Sequence, residues 1–218
     1  MHPFFCVLFG AFTAVLTAAL WKYTPASWIL EAAAPPRLQR LCPPSRKKAR
    51  QLALLLFFFC TALMPLPKTV GAAFRPLLLA CFLLQFLFDG LCYTLPDQWT
   101  AVIALLGALN CLLQSQSLAC GIMTLSARLL AAEEILCLWL VSALLCTLFR
   151  KPLPMGMGDA KLVAAAAFVL GGRLLSALLA ASLLAGLWCA LLLAAGRIEK
   201  RDRIPFGPFL VIGFLLYL

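Results

Sequence analysis

The chain of 218 residues is poor in the side chains on which most enzyme sites are built. It has one histidine, His2, and none of its ten cysteines stands in a CxxC spacing. A lone histidine excludes an HExxH zinc site and a Ser-His-Asp triad, and the missing CxxC pairs argue against metal or dithiol chemistry. We therefore predict no metal and no cofactor. A reaction that needs a carboxylate has only eight candidates: Glu31, Asp89, Asp97, Glu133, Glu134, Asp159, Glu199 and Asp202.

Charged residues are also scarce, at 12% of the chain, against 64% hydrophobic residues. With a mean hydropathy of +1.02, this composition is typical of an integral membrane protein. We predict an all-α polytopic membrane protein of about eight transmembrane helices, forming one domain over residues 1–218. A basic loop at 22–50 precedes a core at 51–218. The predicted spans are 4–21, 51–67, 76–91, 97–113, 135–149, 160–172, 174–195 and 208–218, while 118–131 either crosses the membrane or lies on it.

The basic residues predict the topology. Loops on one side of the eight spans carry fourteen of the 18 Lys and Arg residues, and loops on the other side carry four. By the positive-inside rule, both termini then lie outside and the 22–50 loop lies in the cytosol. The net charge of +10 thus reports topology, not a nucleic-acid partner, and the 22–50 loop also suits contact with anionic membrane lipid. We expect a multi-pass protein of a membrane that borders the cytosol.

Two aspartates are the strongest candidates for chemistry. Asp159 follows two alternating glycines in MGMGDAKL, at the start of an apolar run, where it either serves a function or caps a helix. Asp89 ends another apolar run, where a cap is excluded and the helix C-terminus disfavours an anion. An ion pair between Asp89 and Lys161 is the structural alternative. Asp97, after Pro96, is predicted to cap the next helix.

The predicted topology places Asp89 and Asp159 at one cytosolic membrane boundary, which is the requirement of an aspartic protease. Close carboxylates in a low dielectric share a proton near neutral pH, so one acts as base and the other as acid. Gly156 and Gly158 would let backbone approach the scissile bond and would keep this loop mobile. Asp89 and Asp159 are thus the predicted catalytic pair, with Lys161 and Asp97 in supporting positions.

Three stretches resemble the type IV prepilin leader peptidases, a family of GxGD intramembrane aspartyl proteases. FDGLCYTLPDQWT (88–100) is similar to the family's D-x6-P-D/N phrase, GMGDAKL (156–162) to its GxGDxKL signature, and IPFGPFL (204–210) to its PFGPF phrase. The resemblance implies that Asp89 and Asp159 are catalytic. It also implies cleavage of the short basic leader of prepilins or pseudopilins at the cytosolic face.

The chain departs from the larger, bifunctional members of this family. Those members have paired CPxC-type cysteines after the first span and also N-methylate the trimmed pilin. Here Cys42-Pro43-Pro44-Ser45 has no second pair, so a four-cysteine zinc site cannot form and N-methyltransferase activity is not favoured. Two other classes stay open from the sequence. One is a small transporter or channel that binds or relays a cation at the aspartates, and the other is a non-catalytic assembly protein.

Overall fold

The computed structural model describes residues 3–24, 74–92, 94–151, 155–197 and 204–218. Most of the 22–50 loop with Cys42, the predicted span at 51–67 and residues 198–203 lie outside the described residues. Within the described ranges the chain is all-α, with no strand. The helices are α1 (Pro3–Tyr23), α2 (Arg75–Cys92), α3 (Asp97–Gln114), α4 (Leu118–Leu148), α5 (Met157–Leu170), a 3-10 turn (Gly171–Arg173), α6 (Leu174–Ala194) and α7 (Gly207–Tyr217).

Helices lie where six of the predicted spans were placed, and their ends follow the expected signals. Pro96 precedes α3, and Ser117 caps α4 by accepting the backbone N–H of Cys120 at 3.2 Å. Between α5 and α6, Gly171 has φ +54°, a backbone conformation that favours glycine. Residues of α5 and α6 line one groove, so the chain reverses direction at this turn. The predicted break at 171–173 is therefore confirmed.

The prediction for residues 118–149 was wrong. We expected a separate segment at 118–131 and a span beginning after Glu133 and Glu134, but α4 is one helix of 31 residues. At 1.5 Å per residue it is about 46 Å long, more than the roughly 30 Å of a bilayer's hydrocarbon core. Glu133 lies in its middle and lines a cleft beside Lys161 of α5, so it does not mark a helix entrance. Polar residues were read as a boundary because the sequence does not show which face they occupy.

Contacts between helices fix their relative directions. Arg128 of α4 donates to the carbonyl oxygen of Phe168, near the end of α5, and Trp139 donates to that of Met155, just before α5. The residue numbers rise on one helix while they fall on the other, so α4 and α5 are antiparallel. By the same argument, α2 and α7 are antiparallel because Asp89 and Phe82 contact Gly207 and Phe214, respectively.

Parallel packing of α3 and α5 completes the arrangement. Asp97 pairs with Lys161 at the start of both helices, and Gly107 lies against Phe168 and Val169 further along. The end of α2 and the starts of α3, α5 and α7 therefore meet at one end of the bundle. We call it the aspartate end, because Asp89, Asp97 and Asp159 all lie there.

The helices pack through buried apolar and small residues. Phe82 of α2 and Phe214 of α7 are fully buried, with ring centroids 5.8 Å apart. A Cβ on Gly213 would lie 2.5 Å from the carbonyl oxygen of Ala177, so α6 and α7 approach more closely than a side chain would allow. Close contact at small residues is typical of helix packing in membranes.

Two stretches are long and apolar enough to cross a membrane: Leu118–Leu148 and Met157–Ala194, the second of which the structure folds back at the 3-10 turn. Their outer faces are apolar and exposed; Leu138 and Leu183, for example, are 70% and 74% exposed. Leucines in such numbers on an outer face suit lipid contact better than water.

Candidate active site

Asp89 lies in the last turn of α2 and is buried, with 7% of its surface exposed. Its Oδ2 accepts the backbone N–H of Gly207 at 2.9 Å. Gly207 is the first residue of α7, so the carboxylate faces a helix N-terminus, where unsatisfied N–H groups and the helix dipole favour an anion. The C-terminus of α2 disfavours a negative charge, and the start of α7 offsets this effect.

A side chain at position 207 would displace this carboxylate or the start of α7. A Cβ on Gly207 would lie 2.6 Å from Oδ2 and 2.9 Å from Cγ of Asp89. Gly207 has no role that the sequence alone indicates, although it lies in the IPFGPFL stretch that carries part of the family resemblance. The structure gives it one, because it provides both the N–H donor and the space for the carboxylate.

Asp159 lies in the first turn of α5, half-buried, three residues after the N-cap Gly156. Its carboxylate accepts the backbone N–H of Gly156. An acidic residue at this position that bonds back to the N-cap forms half of a capping box. The two interpretations of Asp159 are therefore compatible, since a capping bond orients a side chain that also faces the second aspartate.

The aspartates come from distant parts of the chain and meet at the aspartate end. Asp159 lies close enough to Asp89 to be affected by the charge of Asp89. Each also accepts an N–H from a glycine at a helix start, Gly156 for Asp159 and Gly207 for Asp89. Two carboxylates in such a site resist being ionised together, because their negative charges repel and water is partly excluded. This is the arrangement that allows one base and one acid to act together.

Lys161 and Asp97 form an ion pair at 2.6 Å between Nζ and Oδ2. This excludes the structural alternative for Asp89 and corrects the expectation for Asp97. The lysine does not pair with Asp89, and Asp97 does not cap α3, whose N-cap is Pro96 without a side-chain cap bond. The side chains of Lys161 and Asp97 are 33% and 61% exposed, so the pair is worth about 0.2–1 kcal/mol and mainly joins the starts of α3 and α5.

Gly158 also differs from the expectation of a mobile loop, because it lies within the first turn of α5. A Cβ there would lie 3.2 Å from Cβ of Leu95, in the linker between α2 and α3. The linker is held from its other side by Gln85, whose Nε2 donates to Thr100 Oγ1 at 2.7 Å and to the Pro96 carbonyl at 3.3 Å. These contacts connect the stretch around Asp89 to the helix that carries Asp159.

Trp139 is a further residue of the site that the sequence argument missed. Its indole N–H donates to the carbonyl oxygen of Met155 at 3.1 Å, next to Gly156. A groove of about 470 Å³ opens beside this bond between α4, α5 and α6, and Met155 and Phe206 line it. These two residues directly precede Gly156 and Gly207 in the chain, although neither glycine and neither aspartate lines the groove itself.

No group of three His, Cys, Asp or Glu side chains is placed to hold a metal ion within the described ranges. In comparisons with known proteins, no family model, no curated protein and no solved structure matches this chain.

Proposed function

We propose that the protein is an intramembrane aspartic endopeptidase in which Asp89 and Asp159 form the catalytic pair. The observation that carries this proposal is the meeting of two buried or half-buried carboxylates at one end of the bundle. Each is oriented by a glycine N–H, and Asp159 is affected by the charge of Asp89. An ion pair would explain a single buried aspartate, but Lys161 is already paired with Asp97.

The proposed reaction uses one ionised and one protonated aspartate. The ionised carboxylate takes a proton from water while the water oxygen bonds to the peptide carbonyl carbon. The protonated carboxyl gives its proton to the carbonyl oxygen, which leaves a tetrahedral diol. The first carboxyl then gives the water proton to the amine nitrogen as the C–N bond breaks, and the second carboxylate takes its proton back from a diol hydroxyl. The glycine N–H groups hold the carboxylates in place, and the 470 Å³ groove provides an apolar space for the substrate chain.

The substrate class comes from the family resemblance alone. FDGLCYTLPDQWT, GMGDAKL and IPFGPFL support leader peptides of prepilins or pseudopilins, cut at the cytosolic face of a bacterial inner membrane. The proposed topology keeps about eight spans, with both termini outside and the aspartate end toward the cytosol. The antiparallel pairs α2–α7 and α4–α5 and the parallel pair α3–α5 are compatible with it.

Cleavage of a leader peptide by the purified, detergent-solubilised protein tests this proposal. We expect a prepilin or pseudopilin substrate to be cut once, between its leader and its apolar segment, by the wild-type protein but not by Asp159→Asn. A cation transporter or a non-catalytic assembly protein would release no product. If the wild type is inactive on a panel of such substrates, or if Asp159→Asn cuts equally well, the proposed function is wrong.

A further inference from the structure

One peptide group next to Asp159 takes part in two hydrogen bonds. The Met155 carbonyl accepts the indole N–H of Trp139 at 3.1 Å, and the Gly156 N–H, on the same peptide group, donates to the Asp159 carboxylate. In a trans peptide the C=O and N–H point in opposite directions. Trp139 and Asp159 therefore hold the Met155–Gly156 peptide from opposite sides.

The orientation of the Met155–Gly156 peptide needs this restraint because its N–H belongs to a glycine. Gly156 has no Cβ, so its backbone rotates more freely than that of any other residue. A rotation of the peptide plane would turn the Gly156 N–H away from Asp159. The bond from Trp139 opposes this rotation, and a hydrogen bond accepted at the C=O also polarises the N–H of the same group. Trp139 thus affects Asp159 through the peptide group, without contacting the carboxylate directly.

Contacts between α4 and α5 fix the position of the Trp139 indole along the axis of α5. Arg128 contacts the Phe168 carbonyl eleven residues before Trp139 on α4, near the opposite end of α5. These two contacts on α4 bracket α5, so α4 cannot slide along it without losing both. A cation near a helix C-terminus is also favourable, so the Arg128 contact is stable in its own right.

We propose that Trp139 is a positioning residue for Asp159 that acts through the Met155–Gly156 peptide. This inference rests on the proposed function, because it assigns Trp139 to the orientation of a catalytic carboxyl. The role of Trp139 does not follow from the family resemblance, because α4 lies outside the three stretches that carry it. It implies that the loss of the indole N–H impairs the chemical step more than it impairs substrate binding.

Kinetics of Trp139→Phe provide the first test, with Trp188→Phe as the matched control. Trp188 is half-exposed on α6 and does not line the groove beside Met155, so its replacement should leave cleavage unchanged. Losing one hydrogen bond at position 139 should lower kcat about three- to tenfold, with KM unchanged. An unchanged kcat, or an effect on KM alone, would overturn the inference. If Trp139→Phe fails to accumulate, 3-benzothienylalanine at position 139 keeps the shape and removes only the N–H.

A spectroscopic test does not depend on turnover. With ¹⁵N-labelled indole groups, the Trp139 signal should shift as Asp159 titrates, because one peptide group connects them. The shift should disappear in Asp159→Asn, while the Trp188 signal should not follow Asp159 in either protein. If the protein cleaves substrate but the Trp139 signal does not change as Asp159 titrates, the positioning role of Trp139 is refuted and the proposed function is not. A wild type that cleaves nothing would instead refute the proposed function.

Discussion

The carboxylate of Asp89 and the backbone N–H of Gly207, 118 residues later, lie 2.9 Å apart. This bond joins the end of α2 to the start of α7, the first and last helices that meet at the aspartate end. It explains how a carboxylate is stable at a helix C-terminus in an apolar protein. It also makes the short C-terminal helix part of the site, because α7 provides the donor that faces Asp89.

The Asp89–Gly207 contact predicts a selective effect of one added methyl group. Gly207→Ala places a Cβ 2.6 Å from Oδ2 of Asp89, so the carboxylate or α7 must move. A small misplacement of a catalytic group costs up to about a hundredfold in rate, and we expect at least a tenfold loss of cleavage. Cleavage at equal protein amounts in membranes measures it.

Gly186→Ala is the control for this substitution. No atom lies within 4 Å of a Cβ at this position in the middle of α6. Alanine is also the better helix former, so the variant should be as stable as the wild type or more so, by about 0.5–1 kcal/mol, and fully active. Normal activity of Gly207→Ala would show that the bond between Asp89 and Gly207 does not matter for catalysis.

The three aspartates at the aspartate end provide a second comparison. Asp89→Asn and Asp159→Asn keep the size of the side chain but remove its ability to exchange a proton. Each should lower cleavage at least about a hundredfold, as expected for loss of general acid–base catalysis. Asp97→Asn loses only the exposed ion pair with Lys161, so it should keep activity within a few-fold. A dead Asp97→Asn beside an active Asp159→Asn would mean that the pair was assigned to the wrong residue.

Much of the fold follows from the sequence because the boundaries are local. Pro96, Ser117 and Gly171 stop or start helices through their own backbone or side chain, and each lies at or next to an end of a predicted segment. The single helix at 118–148 does not follow from such local signals. The polar Glu133 and Glu134 interrupt the apolar run, yet they lie on the surface of one continuous helix, and such placement depends on tertiary contacts.

The sequence predicts Asp89 and Asp159 as a pair, but it does not predict the contacts that they make. A carboxylate at the end of an apolar run is costly, and this cost singles out Asp89 from the sequence. The N–H donor of Gly207 and the indole donor of Trp139 lie on helices other than those of the aspartates, so no local sequence pattern predicts these bonds. The ion pair between Lys161 and Asp97 also depends on tertiary contacts, because it forms only where α3 packs beside α5.

Topology predicts a clear result for the two ends of α5. Lys151 precedes α5 and Arg173 follows it, and the excess of basic residues places Lys151 in the cytosol and Arg173 outside. With the native cysteines replaced, Lys151→Cys should react with an impermeant maleimide only from the cytosol and Arg173→Cys only from outside. Cysteines in 22–50 and 197–203 should behave like Lys151→Cys, and one at residue 68 like Arg173→Cys. Labelling of positions 151 and 173 from the same side would mean that α5 does not cross.

The last prediction concerns metal and pH together. With one histidine and no CxxC pair, the sequence lacks the usual ligands of a zinc protease, so chelators should leave cleavage intact. The rate should fall in acid, where both aspartates are protonated and no base remains. It should also fall in alkali, where both are ionised and no acid remains. Because the proposed reaction needs both carboxyls, Asp89→Asn and Asp159→Asn should each abolish the whole bell-shaped profile, not one limb of it. Activity that chelation removes and zinc restores would contradict the aspartic mechanism, as would a rate that rises steadily with pH.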